Sequence, residues 1–311
     1  MQRLLTTATL VGLLVATAAA FAVTERLKLT KSPIFSTVVS PKAGFSPTCG
    51  CARGRATIRF KLRHPDAVSV RILDSHKSTV RVIVDGVQAS QGLNVFKWDG
   101  RTGGNVIAKD GRYSAEIHLA GQHRTIILPN PIQLDTTAPV VKSVTTNRDA
   151  FSPDGDHQAD FVRIHYELSK SAHVNLYLDD QRILRTNRHP VTGSFSWFGL
   201  ADGKVLPPGS YTLEIGAVDA AGNSTPVAER QRIRVQIRYI ELASKRIVVQ
   251  AGARFAIGVS TDATRYTWKL GRRKSFAAGP VLRLKASTLR GRYTLTVSEH
   301  GHVDRAAVIV K

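Results

Sequence analysis

Hydrophobic and polar residues alternate with a period of two along most of this chain, the signature of strands with one buried face. Residues 57–62 place Ile58 and Phe60 on one side and Arg59 and Lys61 on the other. Residues 68–73 and 80–84 follow, then a strand through Phe96 that ends in Trp98. After glycine turns at Gly100 and Gly103-Gly104 come a short strand over 105–108, a turn at Gly111 and a strand over 113–119. A second series repeats the first over 162–168, 172–178, 183–185, a strand ending at Trp197, and 211–218. A third alternates over 254–259, at Tyr266 and Trp268, at Leu282 and Leu284, and over 291–297 and 306–310. About seven short strands per series, punctuated by turns, predict β-sandwiches. The fold class expected is all-β: tandem Ig-like or fibronectin-like sandwiches behind an N-terminal helix.

Two of the series are copies. Trp98 and Trp197 are offset by 99 residues, Tyr113 and Tyr211 by 98, and Phe45-Ser46-Pro47 and Phe151-Ser152-Pro153 by 106. A period near 100 means repeated whole domains and not a solenoid of small units. Trp98-Asp99-Gly100 with Gly111-Arg112-Tyr113 resembles the Ig-like domain of flagellar hook-cap (FlgD-type) proteins. Phe151-Ser152-Pro153-Asp154-Gly155-Asp156 is similar to the opening of many bacterial surface Ig-like repeats. Asp135-Thr136-Thr137-Ala138-Pro139 and Asp219-Ala220-Ala221-Gly222-Asn223 resemble the linker and last-hairpin phrases of such modules. The resemblance spans about residues 45–231 and implies an Ig-like fold there. It implies no single function, because such modules serve many purposes. The third series lacks the Trp-Asp-Gly hairpin, so the resemblance stops short of it.

The N-terminus is different. Met1-Gln2-Arg3 precedes the uncharged, mostly apolar residues 4–23, with Glu25, Arg26, Lys28 and Lys31 beyond. At ~1.5 Å per residue these residues would span ~30 Å, enough to cross a bilayer. Alanines at 16–20 also offer signal-peptidase sites. Residues 1–23 are therefore a cleaved signal peptide or a retained membrane anchor. The protein is expected at the cell membrane, single-pass with extracytoplasmic domains, or secreted. Residues 24–44, with Pro33 and Pro41, read as a stalk. The domains expected are then a first module over 45–135, a linker over 136–150, a second module over 151–231 and a basic sandwich over 232–311.

Charge sharpens this picture. The 311 residues carry a formal net charge of +21. Residues 45–135 hold 13 basic and 7 acidic side chains, residues 151–231 hold 7 and 10, and residues 232–311 hold 17 and 4. The excess is concentrated at the C-terminal end, where it would attract polyanions in a salt-sensitive way. If 265–269 is the third strand of an Ig sheet, Tyr266 and Trp268 point inward and Arg265 and Lys269 outward. Arg292 on a neighbouring late strand shares their face. Arg272, Arg273 and Lys274 form the adjoining turn, with Arg283 and Lys285 close by. The bland account of this cluster is a solvated face that keeps the protein soluble. The functional account is a site for an anionic cell-wall polymer such as teichoic acid, an acidic glycan, lipid headgroups or an envelope protein. Nucleic acid fits the same electrostatics, but export removes it as a partner.

Other chemistry is sparse. Asp154, Asp156 and Asp160 lie in a glycine-containing loop, and oxygen ligands on such a loop suit calcium; the alternative is that they cap backbone amides in a turn. No cofactor is expected unless this loop takes calcium. Cys49 and Cys51, the only cysteines, cannot complete a zinc site, and a C-x-C disulfide in an oxidising compartment is the leading expectation. His300 and His302 sit in a hairpin turn with no third ligand nearby in sequence, so a solvated turn is expected. No G-x-S-x-G, H-E-x-x-H, Walker loop or helix-opening G-x-G-x-x-G occurs. The chain is expected to be a non-enzymatic envelope protein whose modules act as spacer or scaffold. Its alternatives are a carbohydrate-binding or carbohydrate-processing surface protein and a flagellar-cap-like assembly scaffold.

Overall fold

The computed structural model describes residues 2–29 and 31–311, with side chains for 9–22 and 31–311. It has a helix, Gln2–Leu29, and three β-sandwiches in two compact units, 1–136 and 137–311. The first unit holds one sandwich. One of its sheets runs Ile34–Ser40, Ala56–Leu62, Gly92–Trp98; the other runs Thr79–Ala89, Asp66–Leu73, Gly111–Leu119, Arg124–Ile127, with Ile132–Leu134 also pairing with Gly111–Leu119. The second unit holds two. Its first sandwich packs a sheet of Val141–Thr146, Val162–Leu168 and Thr192–Trp197 against one built on Gln231–Ile237, Gly209–Asp219, Ala172–Leu178 and Gln181–Arg185. Its second packs Glu241–Leu242, Arg254–Ser260 and Val281–Lys285 against the five strands Arg246–Val249, His302–Val310, Gly291–Glu299, Tyr266–Leu270 and Arg273–Ala277. Each sandwich has its own apolar core. The all-β class expected from the alternation is the one the structure has.

The repeated residues build one device in each of the first two sandwiches. Trp98 and Trp197 are buried at their strand ends, and each indole Nε1 donates to a main-chain carbonyl three residues on, of Arg101 and of Leu200, both at 2.9 Å. Phe45 meets Trp98 edge-on at 5.5 Å between ring centres, and Phe151 meets Trp197 at 5.6 Å, both at 64°. Directly after each Trp-X pair the chain turns through a glycine of positive φ, +76° at Gly100 and +72° at Gly199. The Phe-Ser-Pro segment presses on that glycine: a Cβ at Gly100 would lie 3.0 Å from Pro47, and one at Gly199 would lie 3.2 Å from Pro153 and 3.0 Å from Ile237. Glycine is required there for conformation and for space alike. All three sandwiches add a tyrosine corner, in which Tyr113, Tyr211 and Tyr293 donate to the carbonyls of Lys109, Pro207 and Leu289. The bonded hydroxyl fixes the entry to the long strand in each, buried at Tyr113 and half-buried at Tyr211 and Tyr293.

Several expected boundaries are corrected. Within the expected stalk, 24–44, residues Ile34–Ser40 form the first strand of the first sandwich, paired antiparallel with Ala56–Leu62. Its register slips between Phe35 and Val38 and Ser36 has φ +50°, so the bulge breaks the alternation that would reveal it. Within the expected linker, 136–150, Val141–Thr146 pairs with Val162–Leu168 across another irregularity. The third module does not begin at 232: Gln231–Ile237 pairs with Gly209–Asp219 and closes the second sandwich. The third sandwich then covers about 240–311, with 14 basic and 4 acidic residues. The short strand expected over 105–108 is a single bridge between Arg101 and Ile107.

The described side chains of the helix, 9–22, are exposed. Among the described residues no helix is long and apolar enough to cross a membrane; the expected span, 4–23, lies partly outside the described side chains.

Gly199 and Gly203 share a positive φ, but a Cβ at Gly203 would meet open space. Gly203→Ala is therefore expected to cost about 1 kcal/mol of conformational strain. Gly199→Ala should cost a further ~1–3 kcal/mol from overpacking against Ile237 and Pro153. Denaturant unfolding of the full chain measures both, and equal losses would mean that the aromatic lock adds nothing.

Candidate functional site

A strongly cationic surface is the outer face of the five-stranded sheet in the third sandwich. Along Gly291–Glu299, Leu295, Val297 and Glu299 point into the core, so Arg292, Thr294, Thr296 and Ser298 point out. Strand register carries this parity across the sheet. Lys274 lies opposite Lys269, Lys269 opposite Thr296, and Thr296 opposite Arg305. The result is a row of three exposed cations across four strands. Arg246, opposite Ala307, and Arg292, opposite Ile309, extend the same face on one side of that row. Arg265 lies at its far end, with its guanidinium 4.5 Å over the exposed ring of Phe276. Two lysines directly opposite on adjacent strands repel and cost stability, so the row is not explained by folding.

The four acids of this module are turned away from that face. Asp304 accepts the Leu242 amide at 2.7 Å and Lys245 Nζ at 2.5 Å. Burial opposes its ionisation, but these donors win and hold its carboxyl below the usual range. Glu299 is buried, Asp262 takes the Ser152 hydroxyl, and Glu241 lies on the edge strand of the opposite sheet.

The expected basic cluster is thus divided. Arg265, Lys269, Lys274 and Arg292 share the five-stranded face. Arg272 and Arg273 line a cleft of about 310 Å³ at the end of the sandwich with Ser287, Thr288 and Tyr293. Arg273 also donates to the Lys285 carbonyl. Arg283 and Lys285 lie on the opposite, three-stranded sheet, where Lys285 faces Arg254. Sequence proximity failed here because Val281–Lys285 crosses to the other sheet. Arg246 and Arg305, which complete the face, were not among the expected residues; their signal is the outward parity of the first and last strands.

The acidic loop is rearranged as well. Asp160 does not join Asp154 and Asp156 but accepts the amides of Gly155 at 2.8 Å and His157 at 2.9 Å. Asp154 and Asp156 converge instead with Glu299 and His300, one ligand atom from each lying within 4.8 Å of the others. The side chains of Asp154 and Glu299 are 2% and 1% exposed. Burial, with the neighbouring Asp154, pushes Glu299 up to about 7, although its hydrogen bond to His300 works the other way. That same bond, His300 Nδ1 to Glu299 Oε1 at 2.6 Å, raises the His300 pKa. Asp262 stands beside them, its pKa raised first by burial and also by Asp156 and Asp154. The turn at His300 is therefore not merely solvated, and His302 stacks on Tyr239 at 3.4 Å. Cys49 and Cys51 are joined in a disulfide in the loop after Phe45-Ser46-Pro47.

Residues 48–122, most of the first sandwich, match the family model described as FlgD Ig-like domain. No curated protein matches the chain. Among solved structures, fibronectin(III)-like modules of Clostridium thermocellum CbhA are 17% identical, covering 65% of this chain and 94% of that one, with a TM-score of 0.35. A structure concerning host cell surface retention of a 1.5-MDa bacterial ice-binding adhesin is 10% identical, covering 90% and 99%, with a TM-score of 0.28. Bacteroides ovatus SGBP-B, in complex with a mixed-linkage heptasaccharide, is 13% identical, covering 82% and 63%, with a TM-score of 0.22. These likenesses concern strand architecture and carry no argument about function.

Asp304→Asn is expected to destabilise the third sandwich at neutral pH, since it loses a charge-assisted bond to Lys245 and weakens the tie to Leu242. A depressed folded-state pKa contributes stability above the unfolded value, 3.8, and loses it as pH falls through the folded one. The gap between variant and parent in thermal unfolding should therefore close below about pH 4. A gap independent of pH would discard this account.

Proposed function

We propose that this chain is a non-enzymatic, exported protein of the cell envelope, in which Ig-like sandwiches act as spacers and the third binds an anionic wall polymer. The observation that carries this is the segregation of charge in the third sandwich. Arg246, Arg265, Lys269, Lys274, Arg292 and Arg305 share one sheet face, while all four acids point elsewhere. A row of cations that includes Thr296, with Thr294 and Ser298 beside it on the same strand, suits an extended chain of phosphates or carboxylates. It offers no enclosed pocket for a small ligand.

Export is supported by the exposed apolar helix and by the Cys49–Cys51 disulfide, which persists in oxidising compartments. A carbohydrate-processing role would need converging carboxylates that a sugar can reach. Those that do converge, Asp154 and Glu299, are almost wholly enclosed.

The test is retention of the purified chain on cell wall that carries teichoic acid, compared with wall stripped of it. Lys269→Glu, Lys274→Glu and Arg305→Glu together should weaken retention by about 100-fold at low salt, taking about 1 kcal/mol per cation near an anionic surface. Arg283→Glu with Lys285→Glu, on the opposite sheet, should have a smaller effect. Equal retention on stripped wall, or an equal loss from both sets of substitutions, would reject a specific anionic face.

A further inference from the structure

The second unit contains a set of buried carboxylate oxygens that no hydrogen bond satisfies, one of which, Asp154 Oδ2, lies 3.7 Å from His300 Nδ1. Asp154 Oδ2, Glu299 Oε2 and Asp262 Oδ1 are all buried and have no hydrogen-bond partner. Leaving one such group unpaired costs roughly 1–3 kcal/mol or more, and several ionised ones together cost far more. Yet each of these carboxylates is carefully held by its other oxygen. Asp154 Oδ1 accepts the Asp156 amide at 3.3 Å, Glu299 Oε1 accepts from His300, and Asp262 Oδ2 from the Ser152 hydroxyl. Asp156 Oδ1 is likewise held, by the Gln158 amide at 2.7 Å. One oxygen is anchored and the other left free, as donors do when they orient ligands around a metal ion.

We propose that Asp154, Asp156 and Glu299 form a calcium site that clamps the second sandwich to the third. The ligands come from both sides of the joint: Asp154 and Asp156 from the loop after Phe151 in the second sandwich, and Glu299 from the end of Gly291–Glu299 in the third. The ligand set is mostly hard carboxylate oxygen, which suits Ca²⁺ and its six to eight oxygen ligands, water making up the number. His300 serves as the donor that aims Glu299, since imidazole is a poor partner for so hard an ion. The same joint is tied by Ser152 to Asp262 and by Tyr239 stacked on His302. A cation that bridges these elements would neutralise the buried charge and hold the two sandwiches as one rod. This proposal is independent of the basic face and stands or falls separately from it.

The test is thermal unfolding of the full chain with EGTA, with millimolar Ca²⁺ and with Zn²⁺, alongside calorimetric titration with Ca²⁺. Binding to the folded state alone raises Tm with concentration, and a rise of a few degrees at millimolar Ca²⁺ is expected. Glu299→Gln and Asp154→Asn should each abolish the Ca²⁺ response. In EGTA they should unfold no earlier than the parent, because each removes a buried, unpaired charge. His300→Ala should keep most of the response. No Ca²⁺ response in the parent, or one that survives both carboxylate substitutions, overturns the proposal. A response to Zn²⁺ alone, lost in His300→Ala, overturns the assignment to calcium.

Discussion

The first two sandwiches depend on a contact that only glycine permits. Phe-Ser-Pro follows the first strand of each of these modules, yet its ring and proline must reach the edge where the tryptophan strand ends. The approach is possible because Gly100 and Gly199 have no side chain and turn through positive φ. The same Phe then pairs in parallel with the module's last strand, at Leu134 in the first case and at Ile237 in the second. One aromatic therefore touches the beginning, middle and end of its module, so the contact closes long loops whose ordering entropy would otherwise be uncompensated. This explains why Phe-Ser-Pro, Trp-X-Gly and Gly-X-Tyr recur together, with spacings of 99 and 98 for the last two. They are parts of one closure.

The fold was legible wherever a strand was regular. Val162–Leu168 and Ala172–Leu178 have the bounds that alternation assigns them, because the first buries one clean face and the second departs from this only at the buried Asn175. The strands that escaped notice, Ile34–Ser40 and Val141–Thr146, carry bulges that shift side chains from one face to the other. A period-two pattern cannot register such a strand. The boundary near 232 was misplaced for a different reason. Charge rises there, but Arg232 and Arg234 belong to a strand whose inward residues, Val235 and Ile237, complete the second core. Composition marked a change of surface and not a change of domain.

The candidate sites were legible only in part, and the limits are geometric. Parity along a single strand correctly grouped Arg265, Lys269 and Arg292. It could not say that Val281–Lys285 crosses to the other sheet, or that Arg305 completes the row from the strand His302–Val310 beyond the His300 turn. The acidic joint was hidden more deeply. Asp154 and Glu299 are 145 residues apart and belong to different sandwiches, so no spacing rule links them. The one visible hint pointed the wrong way, since Asp160 shares the loop but is consumed in capping it.

The two charge patterns of the third sandwich belong together physically. A module with 14 basic and 4 acidic residues can keep a cationic face only if its few carboxylates are held away from it. Placed on the outer sheet, any of them would pair with a neighbouring cation and weaken the field that a polyanion meets. Here Asp304 is tied to Lys245 and an edge amide, and Glu299 and Asp262 are drawn into the joint. Concentrating acid there creates a local problem that hydrogen bonds resolve only halfway, one oxygen per carboxylate. The unsatisfied half faces the preceding sandwich, where Asp154 adds a further charge of the same sign. A joint so composed opens under its own repulsion unless a proton or a cation intervenes, so the stiffness of the second unit is tied to whatever neutralises it.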